Sequence, residues 1–304
     1  MKKVFSVAAM VVLAFAVGKL FVFSVPEEKE NDDTNQKNIS NEYRVYALNL
    51  PKEAYFAGEQ TPLDIPDVKE RLDRELLVNT YWQSQGLLFF KRANKYFPTI
   101  EKILKEKGVP NDFKYLALIE SGLQNVTSPA GAKGFWQLMP KTAREQGLEV
   151  NSNVDERYDV KKSTEVACDY LLKAKEKFGS WTLAAASYNM GIYGVSKQLK
   201  RQKVGTYYDL LLGEETGRYV FRILAIKKIY EDPKKYGFHF REKDLYTMPE
   251  TKLIEIDTAI NNLADFAITQ GVNYKELKMY NPWLREINLN NNSRKKYTIE
   301  IPVE

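Results

Sequence analysis

Two residue types are almost missing from this chain of 304 residues, which has one cysteine, Cys168, and one histidine, His239. A single thiol leaves no disulfide within the chain, and the two residues together cannot build a His/Cys zinc cluster. Chemistry that needs two histidines is excluded as well, and any imidazole triad would have to use His239. No metal and no cofactor are expected. Excess charge is also modest: 45 Lys and Arg against 40 Asp and Glu leave +5. That balance suits an acidic polymer as partner but is too weak to argue for nucleic acid. Bond-breaking chemistry is therefore most easily built from carboxylates and hydroxyls. With 44% hydrophobic and 28% charged residues the composition is globular, and the length suits one domain of ordinary size with a smaller companion.

The N-terminal end departs from that composition. Met1-Lys2-Lys3 precedes the uncharged run Val4 to Val17, then Gly18-Lys19 and a second apolar stretch, Leu20 to Val25. Residues 1–25 read as an export signal peptide, or as a membrane anchor if Lys19 snorkels and both stretches together span a bilayer, which takes about 20 residues. Either form puts the protein outside the cytoplasmic membrane, in the periplasm or on the cell envelope. Residues 26–42 carry one large apolar side chain, Ile39, and read as a disordered tether.

Helical patterns dominate residues 43–250. Leu76–Leu88 and Tyr96–Lys107 have helical composition, and Gly108-Val109-Pro110 supplies a stop. Asn111 or Asp112 can cap the next helix, where Phe113, Tyr115, Leu116, Ala117, Leu118 and Ile119 are apolar almost all round, as in a helix at the centre of a core. Ala167, Tyr170, Leu171, Ala174 and Phe178 share a face before the stop at Gly179. Ser180 can cap a short helix with Trp181, Ala184, Ala185 and Tyr188 in line, and a last helix runs over about Glu215–Tyr230. Strand-like alternation is confined to Lys252–Asp257 and Tyr297–Pro302, with helices over Ile260–Thr269 and Tyr274–Tyr280 between them. The fold class expected is mainly α, with a small α/β module of βααβ order over residues 251–304.

One residue does not belong in this pattern. Glu120 ends the most apolar helix, on the face of Phe113, Leu116 and Ala117. An ionised carboxylate there must be paired, be protonated, or open onto a cleft. A structural salt bridge is the ordinary outcome. The alternative is functional: low dielectric and the negative end of the helix both disfavour the anion, so the group stays protonated at a pH where it can act as an acid. The next segment, Ser128-Pro129-Ala130-Gly131-Ala132-Lys133-Gly134-Phe135-Trp136-Gln137-Leu138-Met139-Pro140, supplies glycines for tight turns. In it, Trp136 offers a stacking face and Gln137 amide hydrogen bonds suited to a sugar.

Glu120-Ser121, Gly131 through Pro140, Ser187-Tyr188-Asn189, and Glu215-Thr216 with Tyr219-Val220 occur in that order. They resemble the successive motifs of the lytic transglycosylases with a soluble-lytic-transglycosylase, goose-lysozyme-like domain, and most of all the membrane-bound lytic murein transglycosylase D type. The resemblance covers about Ile65 to Tyr230 and implies a lysozyme-like helical fold. It also implies cleavage of the MurNAc–GlcNAc β-1,4 bond of peptidoglycan without water, leaving a 1,6-anhydro-muramoyl end. Carried over, Glu120 matches the catalytic acid/base, and Ser121 the neighbour that orients the bound N-acetyl sugar. Gly134, Gln137 and Met139 match positions lining the glycan groove. Tyr188 and Asn189 match residues facing the catalytic glutamate, Glu215 a supporting carboxylate, and Tyr219 a tyrosine approaching the acid. Ser187 and Phe135 depart from the usual alanine and leucine without removing a catalytic atom.

Glycosidases of the ordinary kinds use two carboxyl groups. The nearest acidic cluster, Asp155, Glu156 and Asp159, contains Arg157 and borders Lys161, and reads as caps and ion pairs. Glu120 is thus expected to act first as acid and then as base. His239 and Cys168 read as packing or surface residues, and the Asn125-Val126-Thr127 sequon as incidental. The C-terminal module resembles LysM, a glycan-binding unit, around Leu277 to Pro282; a structural appendage is the equal alternative. A hydrolytic muramidase on the same fold and a non-catalytic peptidoglycan-binding protein remain as rival readings.

Overall fold

The computed structural model describes residues 45–303; the expected signal peptide or anchor and the whole of the tether lie outside the described residues. Pro66, with its fixed φ, opens helix α1 (Pro66–Tyr81), which buries Val68, Leu72, Glu75 and Leu76. The single helix expected over Leu76–Leu88 is in fact broken at Trp82 (φ −86°, ψ 58°), and α2 (Gln83–Lys107) starts there. It ends as expected, at Gly108 in the left-handed region. A 3₁₀ turn over Asn111–Phe113 leads into α3 (Lys114–Ser121), in which Tyr115 to Ile119 are all buried. Asp112 does not cap it. Its carboxylate accepts instead from Ala57 N (2.7 Å) and Lys227 Nζ (2.6 Å), because both reach it from elements packed alongside.

The remaining helices are α4 (Pro140–Glu145), α5 (Val160–Phe178), α6 (Trp181–Met190), α7 (Ile192–Gln202) and α8 (Glu214–Glu231). Asp159 caps α5 through bonds from the Lys161 and Lys162 amides, and Ser180 caps α6 by accepting from Leu183 N. A two-residue hairpin, β1 (Tyr55–Phe56) with β2 (Glu59–Gln60), adds a second cap. Glu59 accepts from Trp181 N, Thr182 N and the hydroxyls of Ser180 and Thr182. Burial works against this anion, but those bonds hold its pKa below the usual range. The start of α6 is thereby fixed from outside the helix.

These elements share one core, with α3 enclosed by α2, α8 and the loop that follows it. Helices α1 and α8 are joined by a buried charge. Glu75, 1% exposed, meets Arg218 Nε at 2.6 Å and Arg74 NH1 at 2.5 Å.

Beyond residue 250, β3 (Thr251–Ile256) and β4 (Tyr297–Pro302) pair antiparallel from Thr251↔Pro302 to Ile256↔Tyr297. Helices α9 (Leu263–Thr269) and α10 (Tyr274–Tyr280) lie between them in sequence, giving the βααβ order read from the pattern. Tyr297, Ile299 and Ile301 alternate inward against Leu263, Ala267, Leu277 and Trp283. Among the described residues no helix is long and apolar enough to cross a membrane.

Truncating Glu75 strands Arg218 and Arg74 between α1 and α8. Glu75→Ala is expected to lower stability by about 3 kcal/mol, at the low end for a broken buried pair because both arginines are partly exposed; chemical denaturation of the two proteins checks this.

Candidate active site

Glu120 occupies the last turn of α3, which Gly122 terminates in the left-handed region (φ 61°). Its helix neighbours Ala117, Ile119 and Ser121 are buried while Glu120 is only partly so, which places the carboxyl at the boundary between core and surface. No ion pair involves it among the described residues. Its partner is a phenol: Tyr219, 2% exposed on α8, donates to Glu120 Oε1. The nearest guanidinium, Arg222, gives a hydrogen bond to the Ile119 carbonyl (3.2 Å) and so caps the helix end.

Burial pushes the Glu120 pKa up, the negative charge of Glu215 adds to the rise, and the Tyr219 bond and the Arg222 charge oppose it without cancelling it. Burial and then the Glu120 charge push Tyr219 and Tyr188 well above the usual tyrosine value, so both remain donors. Tyr188, on α6, donates to the Trp136 carbonyl (2.8 Å) and packs edge-on against Tyr170, with ring centroids 5.4 Å apart. Asn189 is clamped between two residues of α8, giving a hydrogen bond to Glu215 Oε1 (2.8 Å) and accepting one from Thr216 Oγ1 (2.6 Å).

The loop between α3 and α4 is the other wall. The structure corrects the expected role of Trp136, which is fully buried, donates from Nε1 to Thr164 Oγ1 (2.8 Å) and presents no face to a sugar. An indole beside the apolar end of α3 fills core space more readily than it lines a groove. Gly134 is corrected similarly. It is buried with φ 77°, and a Cβ there would lie 2.0 Å from the Arg157 carbonyl oxygen, so the close approach it permits is to this chain's own backbone. Ser121 is buried and its hydroxyl donates to Phe135 O (2.8 Å), which ties helix to loop and leaves that proton unavailable to a sugar. The Gln137 amide nitrogen is occupied by Gly134 O (2.8 Å) and Val126 O (3.2 Å). Met139 remains 43% exposed at the start of α4.

Tyr219 thus pairs with Glu120 and Asn189 with Glu215, and Glu215 and Tyr188 are each close enough to couple electrostatically to Glu120, while Ser121, Gly134, Trp136 and Gln137 secure the loop beside them. The acidic cluster is engaged elsewhere, with Asp155 on Arg157 (2.8 Å), Glu156 on Lys162 and Lys295, and Asp159 at its cap. His239 is exposed and Cys168 buried; burial pushes its thiol up to about 12, so it is inert.

Gln85, Phe89, Arg92 and Tyr96, which the sequence pattern did not single out, form a partly exposed stripe of α2 at i, i+4, i+7 and i+11 beside Gly122 and Phe135. The first three surround Gly122, where a Cβ would meet them at 3.1, 3.1 and 3.3 Å, and Tyr96 packs on Phe135 with centroids 4.7 Å apart. The mixed polar and aromatic stripe was the available signal. Two surface hollows beside α1, one lined by Leu63, Asp64 and Lys69 and the other by Arg71, Tyr208 and Arg218, hold none of these residues.

Residues 97–210 match the family described as transglycosylase SLT domain, and residues 252–304 match the soluble lytic transglycosylase C-terminal LysM-like domain. The membrane-bound lytic murein transglycosylase D of Escherichia coli strain K12 is 30% identical over 235 residues, covering 74% of this chain and 50% of the relative. The chain therefore spans about half the length of that relative. Among solved structures, an inactive mutant of the lytic transglycosylase Slt from Pseudomonas aeruginosa aligns with a TM-score of 0.39 and 23% identity, over 50% of this chain and 26% of the other. The 70 kDa soluble lytic transglycosylase of Escherichia coli aligns with 0.41 and 19%, over 64% and 39%.

A raised carboxyl pKa makes stability pH-dependent. Protonated Glu120 is tolerated at no penalty below the ordinary glutamate value of about 4.3, and that stability is lost as pH rises through the higher folded-state value. Thermal melts of Glu120→Gln and the parent chain should coincide near pH 4 and separate toward neutrality, with the glutamine variant the more stable.

Proposed function

Since the chain carries a transglycosylase SLT domain followed by a LysM-like domain, we propose that it is a peptidoglycan lytic transglycosylase, cleaving the MurNAc–GlcNAc β-1,4 bond without water. The observation that carries this reading is the Glu120 carboxyl, partly exposed at the end of α3, its pKa raised by burial and met by a phenol instead of a cation. Such a group can give a proton to the leaving glycosidic oxygen at neutral pH.

Among the described residues, Asp155, Glu156 and Asp159 are engaged in ion pairs and a cap and Glu215 accepts from Asn189, so this reading assigns none of them as a separate nucleophile. The substrate then supplies its own. Glu120 protonates the leaving oxygen and becomes an anion, which the Tyr219 hydroxyl stabilises. The substrate's N-acetyl group stabilises the cationic C1. The sugar's 6-hydroxyl closes on C1, its proton passes to Glu120, and the acid is regenerated with no water consumed. An internal hydroxyl already close to C1 gains enough from proximity to need one base only. In this reading Asn189 and Tyr188 align the reacting sugar, and Met139 and the Gln85–Tyr96 stripe contact the strand on either side.

The same reading places the protein at the cell envelope, in the periplasm or held to the inner membrane by residues 1–25, with peptidoglycan strands as its partner. The charge of Glu215 close enough to raise Glu120 favours one second reading, a hydrolytic muramidase in which Glu215 activates water.

Mass spectrometry of digested sacculi separates the two, since anhydro products are lighter by one water. Glu120→Gln should slow release of fragments by roughly 10²- to 10⁴-fold, the usual contribution of general acid–base catalysis, while still binding sacculi. Reducing ends in place of anhydro ends would favour hydrolysis; parental activity in the glutamine variant would remove Glu120 from the chemistry.

A further inference from the structure

The C-terminal module and the helical domain share a segment, residues 149–161. Val154 and Tyr158 are buried in the module's own core with Leu263, Trp283 and Leu284. Val154 forms a β-bridge with Leu284, Asp155 N donates to Trp283 O (2.9 Å), and Arg285 N donates to Asn153 O (2.9 Å). The Asn153 side chain spans the same gap, giving a bond to Asn288 O (2.9 Å) and accepting one from Asn290 N (2.9 Å). Lys295 meets Glu149 (2.8 Å) and Glu156 (3.0 Å), and the Arg285 guanidinium lies 4.2 Å from the Tyr158 ring centroid. This is a fused core. A module tethered for reach would expose these groups.

The opposite side of the segment holds the loop beside Glu120. Arg157 is 3% exposed and forks onto Asp155 through Nε (2.9 Å) and NH2 (2.8 Å). Its remaining nitrogen, NH1, donates to the carbonyls of Gly131 (3.0 Å) and Leu138 (3.2 Å), one in each half of the loop. The Arg157 carbonyl fills the space beside Gly134, Tyr158 shares a hydrogen bond with Thr127 (3.2 Å), and Lys133 approaches Asp155 (3.6 Å). From that loop Phe135 O receives Ser121 and Trp136 O receives Tyr188. A continuous set of bonds therefore runs from the module, through Asp155 and Arg157, to residues flanking the acid.

We propose that the C-terminal module works as a clamp that holds loop 126–139 in shape for the reaction, and that Arg157 is the positioning residue through which it acts. Only a guanidinium can fork onto a carboxylate and still reach two carbonyls; an ammonium keeps the charge but not the geometry. The activity part of the test rests on the transglycosylase reading, whereas the exchange part does not.

Two variants separate clamping from glycan capture: Arg157→Lys, and the double change Arg285→Ala with Lys295→Ala, which loosens the module without touching the loop. Hydrogen exchange should quicken roughly tenfold or more in residues 126–139, the scale of a lost charge-assisted hydrogen bond, with residues 214–231 unchanged. On a short soluble glycan, kcat should fall while KM stays nearly constant, and sacculus binding should persist. Unchanged exchange in 126–139, or a defect seen only on sacculi, would overturn the clamp and leave the module as a targeting unit. Exchange that quickens everywhere in the double variant, with Arg157→Lys normal in loop and turnover, would also overturn it. If the parent chain releases no fragments from either substrate, the enzymatic reading fails and exchange alone decides the clamp.

Discussion

The hydrogen bond from Tyr219 to Glu120 sets the terms for the rest of the site. A buried carboxyl facing a lysine or arginine would ionise and stay ionised; facing a phenol, it keeps its proton longer and still has a donor ready when the proton leaves. Arg222 lies near enough to temper the effect, yet its bond goes to the Ile119 carbonyl and not to the acid. The helix end is satisfied without a counter-ion for Glu120. Everything around the carboxyl preserves that choice of partner. Helix α3 is enclosed in the core, Tyr219 is held by the packing of α8, and the first turn of α8 carries Glu215 and Thr216 to Asn189.

A neutral acid also needs a wall that does not collapse onto it. The loop after α3 provides this by being anchored at several depths. Ser121 ties it to the helix, Trp136 is sunk into the core on Thr164, and Arg157 holds it from behind. Each of these bonds uses a side chain whose chemistry suits a ligand as well as it suits the protein. Their polar atoms are occupied internally, so the proposed substrate contacts are assigned to the exposed Met139, the α2 stripe and the Tyr188–Asn189 pair.

Much of the frame was legible in the sequence because local rules and packing agree there. The α3 pattern was apolar all round with one carboxylate at its end, and the structure makes Glu120 the anomaly that the pattern announced. The stops at Gly108, Gly122 and Gly179 and the caps at Asp159 and Ser180 act as their residue types require. Failures occur where tertiary contacts decide. No glycine or proline marks the break at Trp82, and α7 was hidden because it starts right after Gly191, carries Gly194 in its first turn and runs through a polar stretch. Trp136 and Gly134 were assigned to the groove because a sequence does not say which side of a loop faces the core. The acidic cluster was read correctly as caps and ion pairs, but the reach of Arg157 to two distant carbonyls depends on a fold that brings three segments together.

The claim on which the account stands is the ionisation of one side chain. A carbon-13 titration of the Glu120 carboxyl, assigned by its disappearance in the glutamine variant, reads it directly. The midpoint is expected clearly above that of the protein's exposed glutamates, with a further rise when Tyr219 loses its hydroxyl. A midpoint at or below the ordinary glutamate value would contradict it, because Glu120 would then already be an anion where the reaction requires an acid.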